Sequence, residues 1–331
     1  MSIHDAPRKV IIGTCIFDTY QEKYPGVHKR IDALENLIKN ATMTAKVKYE
    51  NRRLDIFILP EESLGNKHTD SIESIAFRQD GPEVERFRSI ARKYCCYLVV
   101  PFYSISSSGV LRNSALLIDR NGKDLGYYHK NHPVFSTEAS GKPIRYENGV
   151  DPGTETPVFD CDFGRIGIQI CFDMNYESGW KTLSDAGAEL VVWPTESPQT
   201  ILTSYKAYYY GYYIASSSFR CNAGIFDPAG GNFSRIETSG SFLVEEIDLS
   251  YAVLQWTATL RDGAAFSEKY GDKASFKYYE AEDRGIFWSN DPSIPIDVMI
   301  RNLGFERYGS YLSRLADALG DSVPFQYRPI L

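Results

Sequence analysis

The sequence predicts an α/β protein made of two strand–helix halves within one domain, and three observations carry that expectation. Apolar runs of strand length alternate with amphipathic stretches of helix length up to about residue 250. The alternation starts again after Cys161, and no linker composition separates the two halves. Across 331 residues, 43% are hydrophobic and 24% charged, a balance that buries a large core and excludes global disorder.

In chain order, residues 9–17 (KVIIGTCIF) read as a buried strand, and 28–49 as a long helix with Ile31, Leu34, Leu37 and Ile38 on one face. Residues 54–59 (LDIFIL) form the next strand, stopped by Pro60, and 82–93 a helix with proline in its first turn. Strands follow at 97–104 and 111–118; the second enters the turn Asp119-Arg120-Asn121-Gly122 and returns as a strand ending near Tyr128. Residues 131–156 are rich in proline, glycine and charge without periodicity, a long loop of the kind that usually serves function. Residues 157–161 and 165–171 (RIGIQIC) pair around Asp162-Phe163-Gly164. A helix near 179–186, a strand at 190–193 stopped by Pro194, and a tyrosine-rich helix at 203–212 come next. Strands at 213–219, 233–236 and 241–247 complete the pattern, with a turn at 227–231 between the first two. Beyond residue 250 the alternation is lost, and Trp256, Tyr278, Tyr279, Phe287 and Trp288 lie among charges before a helix near 311–319. The expected organisation is a domain over 8–250 and a C-terminal extension over 251–331, packed on that domain or on a neighbouring subunit.

Composition narrows the partners. A net charge of −7 without a basic block leaves no electrostatic footprint for nucleic acid. No apolar stretch reaches the roughly 20 residues that cross a bilayer, and the first seven residues lack the pattern of a secretory leader. Six cysteines (Cys15, Cys95, Cys96, Cys161, Cys171, Cys221) are scattered without repeated spacing, as reduced thiols in a cytoplasmic protein are. The 23 tyrosines and 18 phenylalanines suit subunit interfaces as well as cores, so a homodimer or higher homo-oligomer is expected.

Three reactive residues stand just past apolar strands: Glu61 after LDIFILP, Lys130 after GYYH, and Cys171 at the end of RIGIQI. Ligands of open α/β sheets collect outside the carboxyl ends of strands, so these ends can converge on one pocket. Taken singly each has a plain reading, as a solvated carboxylate, a surface lysine and an inert buried thiol. Among rivals, His129 and His132 flank Lys130 and offer a Cys–His pair, but as a metal site they lack a third ligand at sensible spacing. The serine runs at 106–108 and 216–218 lack a Gly-x-Ser-x-Gly elbow. Of the six thiols, Cys171 alone is expected to combine pocket access with a nearby cation, and so to be alkylated first.

Taken together, the motifs resemble those of the nitrilase or carbon–nitrogen hydrolase superfamily, whose signature is Glu, Lys and Cys in that order. Leu59-Pro60-Glu61 matches its strand-end glutamate, Tyr128-His129-Lys130-Asn131-His132 its lysine stretch, and Gly167-Ile168-Gln169-Ile170-Cys171-Phe172-Asp173 its nucleophile. Trp193-Pro194-Thr195 and Asp227-Pro228-Ala229-Gly230 match later family turns, and the likeness runs over about residues 8–248. Two stretches depart from the pattern: Asn175-Tyr176-Glu177-Ser178 after the cysteine, and residues 206–212 (KAYYYGY) in the helix that often lies near pocket and interfaces.

The resemblance implies a four-layer α-β-β-α sandwich in which two copies pack through the helix after Cys171 and the tyrosine helix. It implies a catalytic set of Cys171 as nucleophile, Glu61 as base, Lys130 as oxyanion stabiliser and a second glutamate in the loop. Glu138, in the run KNHPVFSTE, has the spacing of acyltransferase-like members and is the preferred candidate for that second glutamate. Glu147 lies nearer Pro152-Gly153, as in the carbamoyl-amide branch, and with Phe172, Trp193, Thr195 and Tyr103 is expected to contact substrate. No metal and no cofactor are implied. Phe172-Asp173 after the cysteine, in place of Trp-Glu, favours a small linear amide or N-carbamoyl amide over a nitrile. The alternatives are a nitrilase, an acyl- or amidotransferase on the same fold, and a non-catalytic scaffold. Glu62, Glu196 and Asp173 either lend the pocket negative character or, for the first two, face water as loop charges.

Overall fold

The apolar run at the N-terminal end becomes the strand Lys9–Cys15, and its residues divide between two cores. Ile11 and Cys15 face a helical layer, while Val10 and Ile12 face a second sheet. A strand covered on both faces needs apolar residues at every position, which is why no alternation is visible in KVIIGTC. The structure, a computed structural model, describes residues 7–20, 23–69, 71–137, 143–236 and 241–322.

Two sheets carry the two halves. In the first, the strands run in the order Phe242–Asp248, Lys9–Cys15, Ile56–Ile58, Tyr97–Ile105, Leu111–Ile118 and Asp124–His129, with Ala76–Arg78 beside Tyr97–Ile105. In the second, the order is Asn232–Ile236, Ala223–Phe226, Tyr213–Ser217, Leu190–Pro194, Gly164–Ile168 and Val158–Cys161. The sheets face each other across a dry core containing Ile58, Val99, Ile168, Val192 and Ala215. Outside the first sheet lie the helices Val27–Lys48 and Pro82–Tyr94. Ile31, Leu34, Ile38, Ala41 and Ala45 form the buried stripe of the longer one. Outside the second lie Glu177–Asp185 and Thr200–Tyr210, whose shared core holds Trp180, Leu183, Trp193 and Ala207. The α-β-β-α sandwich implied by the motifs is therefore present.

Boundaries differ where local chemistry intervenes. Proline opens Pro82–Tyr94 as expected, glutamates fill its first turn, and Cys95 ends it in the left-handed conformation at φ 53°. The tyrosine helix starts earlier than its periodicity suggests and stops at Gly211, a left-handed cap. The stretch expected to be an unstructured loop contains a small hairpin, Phe135–Thr137 with Pro143–Tyr146, and a single turn at Glu147–Gly149. Ala223–Phe226 is a strand that went unread because four residues between a polar run and a turn carry too little pattern.

The segment beyond residue 250 has structure of its own, contrary to the loss of pattern in its sequence. Tyr251–Gln255, Ala274–Tyr279 and Arg284–Ser289 form an antiparallel sheet. One face packs with Phe266, Met299 and Ile300 from the helices Ala264–Tyr270 and Ile296–Leu303. The other face offers Ile286, Tyr279 and Trp288 to the core between the two large sheets. Tyr279 also donates its hydroxyl to the buried Asp227. Its ring lies on Gly231, where a Cβ would stand 1.8 Å from the ring carbon Cζ.

That contact sets a test of the docking. Gly231→Ala is expected to cost roughly 1–3 kcal/mol by overpacking, read as a lower melting temperature and faster proteolytic cleavage near residue 250. An unchanged melting temperature would mean that Tyr279 does not anchor the extension.

Candidate active site

Strand direction brings the reactive residues to one end of the sandwich. Lys9–Cys15, Ile56–Ile58 and Tyr97–Ile105 run parallel, so Glu61 emerges at their carboxyl end. Leu111–Ile118 runs back and Asp124–His129 forward again, which delivers Lys130 to the same end. The parallel strands of the second sheet bring up Cys171, Thr195 and Ser218. The two ends are bolted together: Phe17 N–H donates to the Ser218 carbonyl at 3.0 Å, Ser218 N–H to that of Cys15 at 3.2 Å, and the Ser217 hydroxyl to that of Leu59 at 2.8 Å.

Lys130 sits at the centre, 2% exposed. Its ammonium donates to Glu61 Oε1 at 3.0 Å and to both oxygens of Glu147 at 2.9 and 3.0 Å. Its backbone is clamped on both sides, since its N–H donates to the Asn113 carbonyl and its own carbonyl accepts from Gly153 N–H. Gly153 belongs to the Pro-Gly pair of the loop, and a Cβ there would lie 2.2 Å from the His129 carbonyl oxygen, so only glycine fits. Asn113, one strand over, donates to Glu61 at 3.0 Å and to Glu147 at 2.9 Å.

Glu61 is as deeply buried as Lys130, and its second oxygen accepts the Glu196 backbone N–H at 3.1 Å. Burial pushes its carboxyl up to about 7; Lys130 opposes that shift, while the negative charges of Glu196, Glu62 and Glu147 add to it. Carboxylate oxygens of Glu61, Glu62 and Glu147 lie within 4.8 Å of one another. Glu61 and Glu147 share the ammonium of Lys130, and Glu62 binds that of Lys67.

Cys171 begins a single turn, Cys171–Asn175, with φ at 42°, a left-handed conformation unusual for a side chain with a Cβ. The turn is fixed from beneath by the fully buried Asp173. Its carboxylate accepts from Ile170 N–H at 3.0 Å, Tyr128 hydroxyl at 2.7 Å, and His132 N–H at 2.9 Å, and bonds His132 Nδ1 at 2.8 Å. Trp193 Nε1 donates to the Cys171 carbonyl at 3.2 Å. Burial, and then the charge of Glu61, push the Cys171 thiol well up; Lys130, the Glu196 N–H and the Thr195 hydroxyl pull the other way.

Set against the sequence reading, Glu61, Lys130, Cys171 and Glu147 meet in one cluster. Glu147 occupies the lysine's second side because the small hairpin returns the chain, with Val134 N–H donating to Glu147 Oε2 at 2.9 Å. Glu138 lies outside the described residues. Phe172 is partly exposed at the mouth, and Tyr103 is buried with its hydroxyl on Glu62. Trp193 corrects its expected substrate contact: its ring is fully buried in the helical core on the far face of the second sheet, and it reaches the site only through Cys171's carbonyl. Thr195 is also fully enclosed and serves the thiol and the Ser197 carbonyl. His132 is held by Asp173 and stacked on Tyr176 at 3.8 Å between ring centroids. Glu62 does not face water. Asn113, Lys67 and Tyr20 were missed; Asn113 lies between Arg112 and Ser114 in the polar first half of its strand, where nothing in the sequence sets it apart.

The carbon–nitrogen hydrolase family model matches residues 20–251. The chain belongs to the carbon–nitrogen hydrolase family. Relatives of this carbon–nitrogen hydrolase include a formamidase of Bradyrhizobium diazoefficiens, 29% identical over 194 residues, which are 57% of this chain and 52% of that one. A deaminated glutathione amidase of Yersinia enterocolitica is 28% identical over 160 residues, 46% of this chain and 56% of that one. The chain thus spans about half the length of these relatives. Among solved structures, Saccharomyces cerevisiae Nit3, of branch 10 of the nitrilase superfamily, superposes with a TM-score of 0.61 at 15% identity, covering 75% of this chain and 92% of that one. An amidase variant from Nesterenkonia sp. AN1, with the acetamide moiety of fluoroacetamide on its active-site cysteine, gives 0.57 at 17% identity, covering 74% and 92%. At these identities the likeness establishes the fold. Among the described residues, no helix is long and apolar enough to cross a membrane.

The thiols yield a prediction that reverses the expected order of labelling. All six cysteines are free, and Cys95, not Cys171, is exposed, with Arg53 Nη1 3.8 Å from its sulfur. A limiting dose of iodoacetamide is therefore expected to modify Cys95 before Cys171, with Cys15 and Cys96 inert because both are buried and their thiols pushed up. Peptide mass spectrometry finding Cys171 first would mean that its thiolate is already formed in the resting protein.

Proposed function

We propose that this carbon–nitrogen hydrolase cleaves the C–N bond of a small linear amide or N-carbamoyl amide through a thioester on Cys171. The observation that carries the reading is the buried ammonium of Lys130 held between Glu61 and Glu147, with the Cys171 thiol in the field of both Glu61 and Lys130. The amidase names of the relatives support it, as does Phe172-Asp173 after the cysteine.

A thiol pushed up by burial carries its proton at neutral pH, so nucleophilic attack needs a base in contact. Glu61, raised to about 7, has the proton affinity such a base needs. It takes the thiol proton as sulfur bonds to the carbonyl carbon, then returns it to the departing amine. Negative charge develops on the carbonyl oxygen, where Lys130 and the backbone N–H of Phe172 supply the compensating positive ends. Water, deprotonated by Glu61, then attacks the thioester carbon and releases Cys171. Glu147 has no proton to move in this scheme; it holds Lys130 in place through the first half and the second. The same reading extends to assembly, in which the exposed Ile201, Leu202, Tyr205 and Tyr176 form the face through which two copies pack.

Ammonia release from a panel of simple amides, N-carbamoyl amides and nitriles is the direct test. Amides or carbamoyl amides are expected to turn over in preference to nitriles, and Cys171→Ala to abolish release while leaving the melting temperature within a few degrees. Loss of one oxyanion donor in Lys130→Met is expected to cost about 3–4 kcal/mol or more in kcat. Because the base must be ionised, kcat/KM is expected to fall as pH drops below about 7. Ammonia release that requires an added amine acceptor, the acyl group ending on that acceptor, would replace hydrolysis by acyl transfer.

A further inference from the structure

A second carboxylate–ammonium–carboxylate set abuts the one formed by Glu147, Lys130 and Glu61. Glu62 follows Glu61 directly and adopts φ 52°, a left-handed conformation that costs a non-glycine residue on the order of 1 kcal/mol and persists only where its surroundings enforce it. Two side chains enforce it here: Lys67 Nζ donates to one Glu62 oxygen and the Tyr103 hydroxyl to the other. Lys67 also donates to Glu196, whose carboxylate accepts from the Tyr20 hydroxyl at 3.1 Å. The Lys67 side chain is only 6% exposed, which is tolerable for an ammonium because two anions embrace it.

Glu62 and Lys67 belong to the loop leaving the first sheet, and Glu196 to the loop leaving the second. Lys67 is therefore a tie across the sandwich, and it ends on the residue whose backbone N–H holds Glu61 Oε2. We propose that Lys67 is a positioning residue for the reaction: by binding Glu62 and Glu196 together it keeps that N–H on Glu61 and cancels part of the negative field the two carboxylates impose on the base. The inference rests on the reading of Glu61 as the base.

The groups facing Glu61 are Lys130, Cys171, Asn113, Tyr103, Glu62, Glu147 and Glu196; those facing Lys67 are Glu62, Glu196 and Tyr20. When fully ionised, the four carboxylates Glu61, Glu62, Glu147 and Glu196 meet the two ammonium groups of Lys130 and Lys67, and without Lys67 they meet one. A cluster with that excess of negative charge binds a proton more tightly, so the base is lost at a higher pH.

The test follows the pH dependence of Cys171 alkylation by iodoacetamide, read on the Cys171 peptide, which needs no knowledge of the substrate. Lys67→Met is expected to move the acid limb upward by about one pH unit, and Lys67→Arg, which keeps the charge, to leave it with the wild type. Glu196→Gln, which removes a negative charge but retains the backbone N–H, is expected to move it downward. Opposite shifts from two substitutions in one network are not a consequence of local unfolding, and the Glu196→Gln arm stands even if Lys67→Met folds poorly. Superposition of the Lys67→Met and wild-type limbs, or a Glu196→Gln limb that does not move down, would overturn the proposal while leaving wild-type ammonia release intact. A wild-type profile with no acid limb would remove Glu61 as the base, and the inference with it.

Discussion

Everything at the carboxyl end of this sandwich is organised by the need to keep one ammonium ion out of water. Lys130 is buried to 2% exposure, and a charge so placed is tolerable only with close anions and saturated donors. Glu61 and Glu147 meet that need, and their oxygens accept further hydrogen bonds from Glu196 N–H, Asn113 and Val134 N–H. Each of those partners comes from a different strand end or loop. The demand for charge compensation thus ties the strand ends and loops of both sheets together at one point.

The same arrangement places two residues of like type in unlike surroundings. Glu61 and Glu147 both bind Lys130, yet Glu61 is the more enclosed and is the one that faces the thiol. Cys171 is likewise supported from behind. Asp173 gathers four hydrogen bonds under the turn, and Trp193 fixes the carbonyl of Cys171, so the left-handed backbone at Cys171 is held by groups buried beneath it.

Much of this was legible in the sequence, and the reasons for the exceptions are physical. Leu111–Ile118 has the extent expected because an apolar run ends at a turn with strong local chemistry, Asp119 to Gly122. Glu61, Lys130 and Cys171 could be found because each follows such a run. Trp193 could not be oriented: Val192 and Trp193 alternate between two faces, and since both faces are buried the sequence carries no mark of which one looks to the site. That Glu147 reaches Lys130 depends on the pairing of Phe135–Thr137 with Pro143–Tyr146, which spacing along the chain does not encode. Lys67 had no signal at all, as a lysine in a polar loop looks the same whether it is solvated or bound by two glutamates. The C-terminal sheet escaped because Ala274–Tyr279 mixes aromatic residues with Lys277 and is half-buried throughout, while Arg284–Ser289 is short and buried on both faces, so neither alternates.

The pairing of Lys9–Cys15 with Phe242–Asp248 has a consequence for how the molecule comes into being. The first of these strands waits for its outer neighbour while more than 220 further residues, from Cys15 to Phe242, are made. In that interval its open edge is a template for any extended segment, including one from another nascent copy. Contacts of such long sequence separation form slowly, because the intervening chain must be ordered before they repay its entropy. The first half of the protein is thus a poor candidate for independent existence.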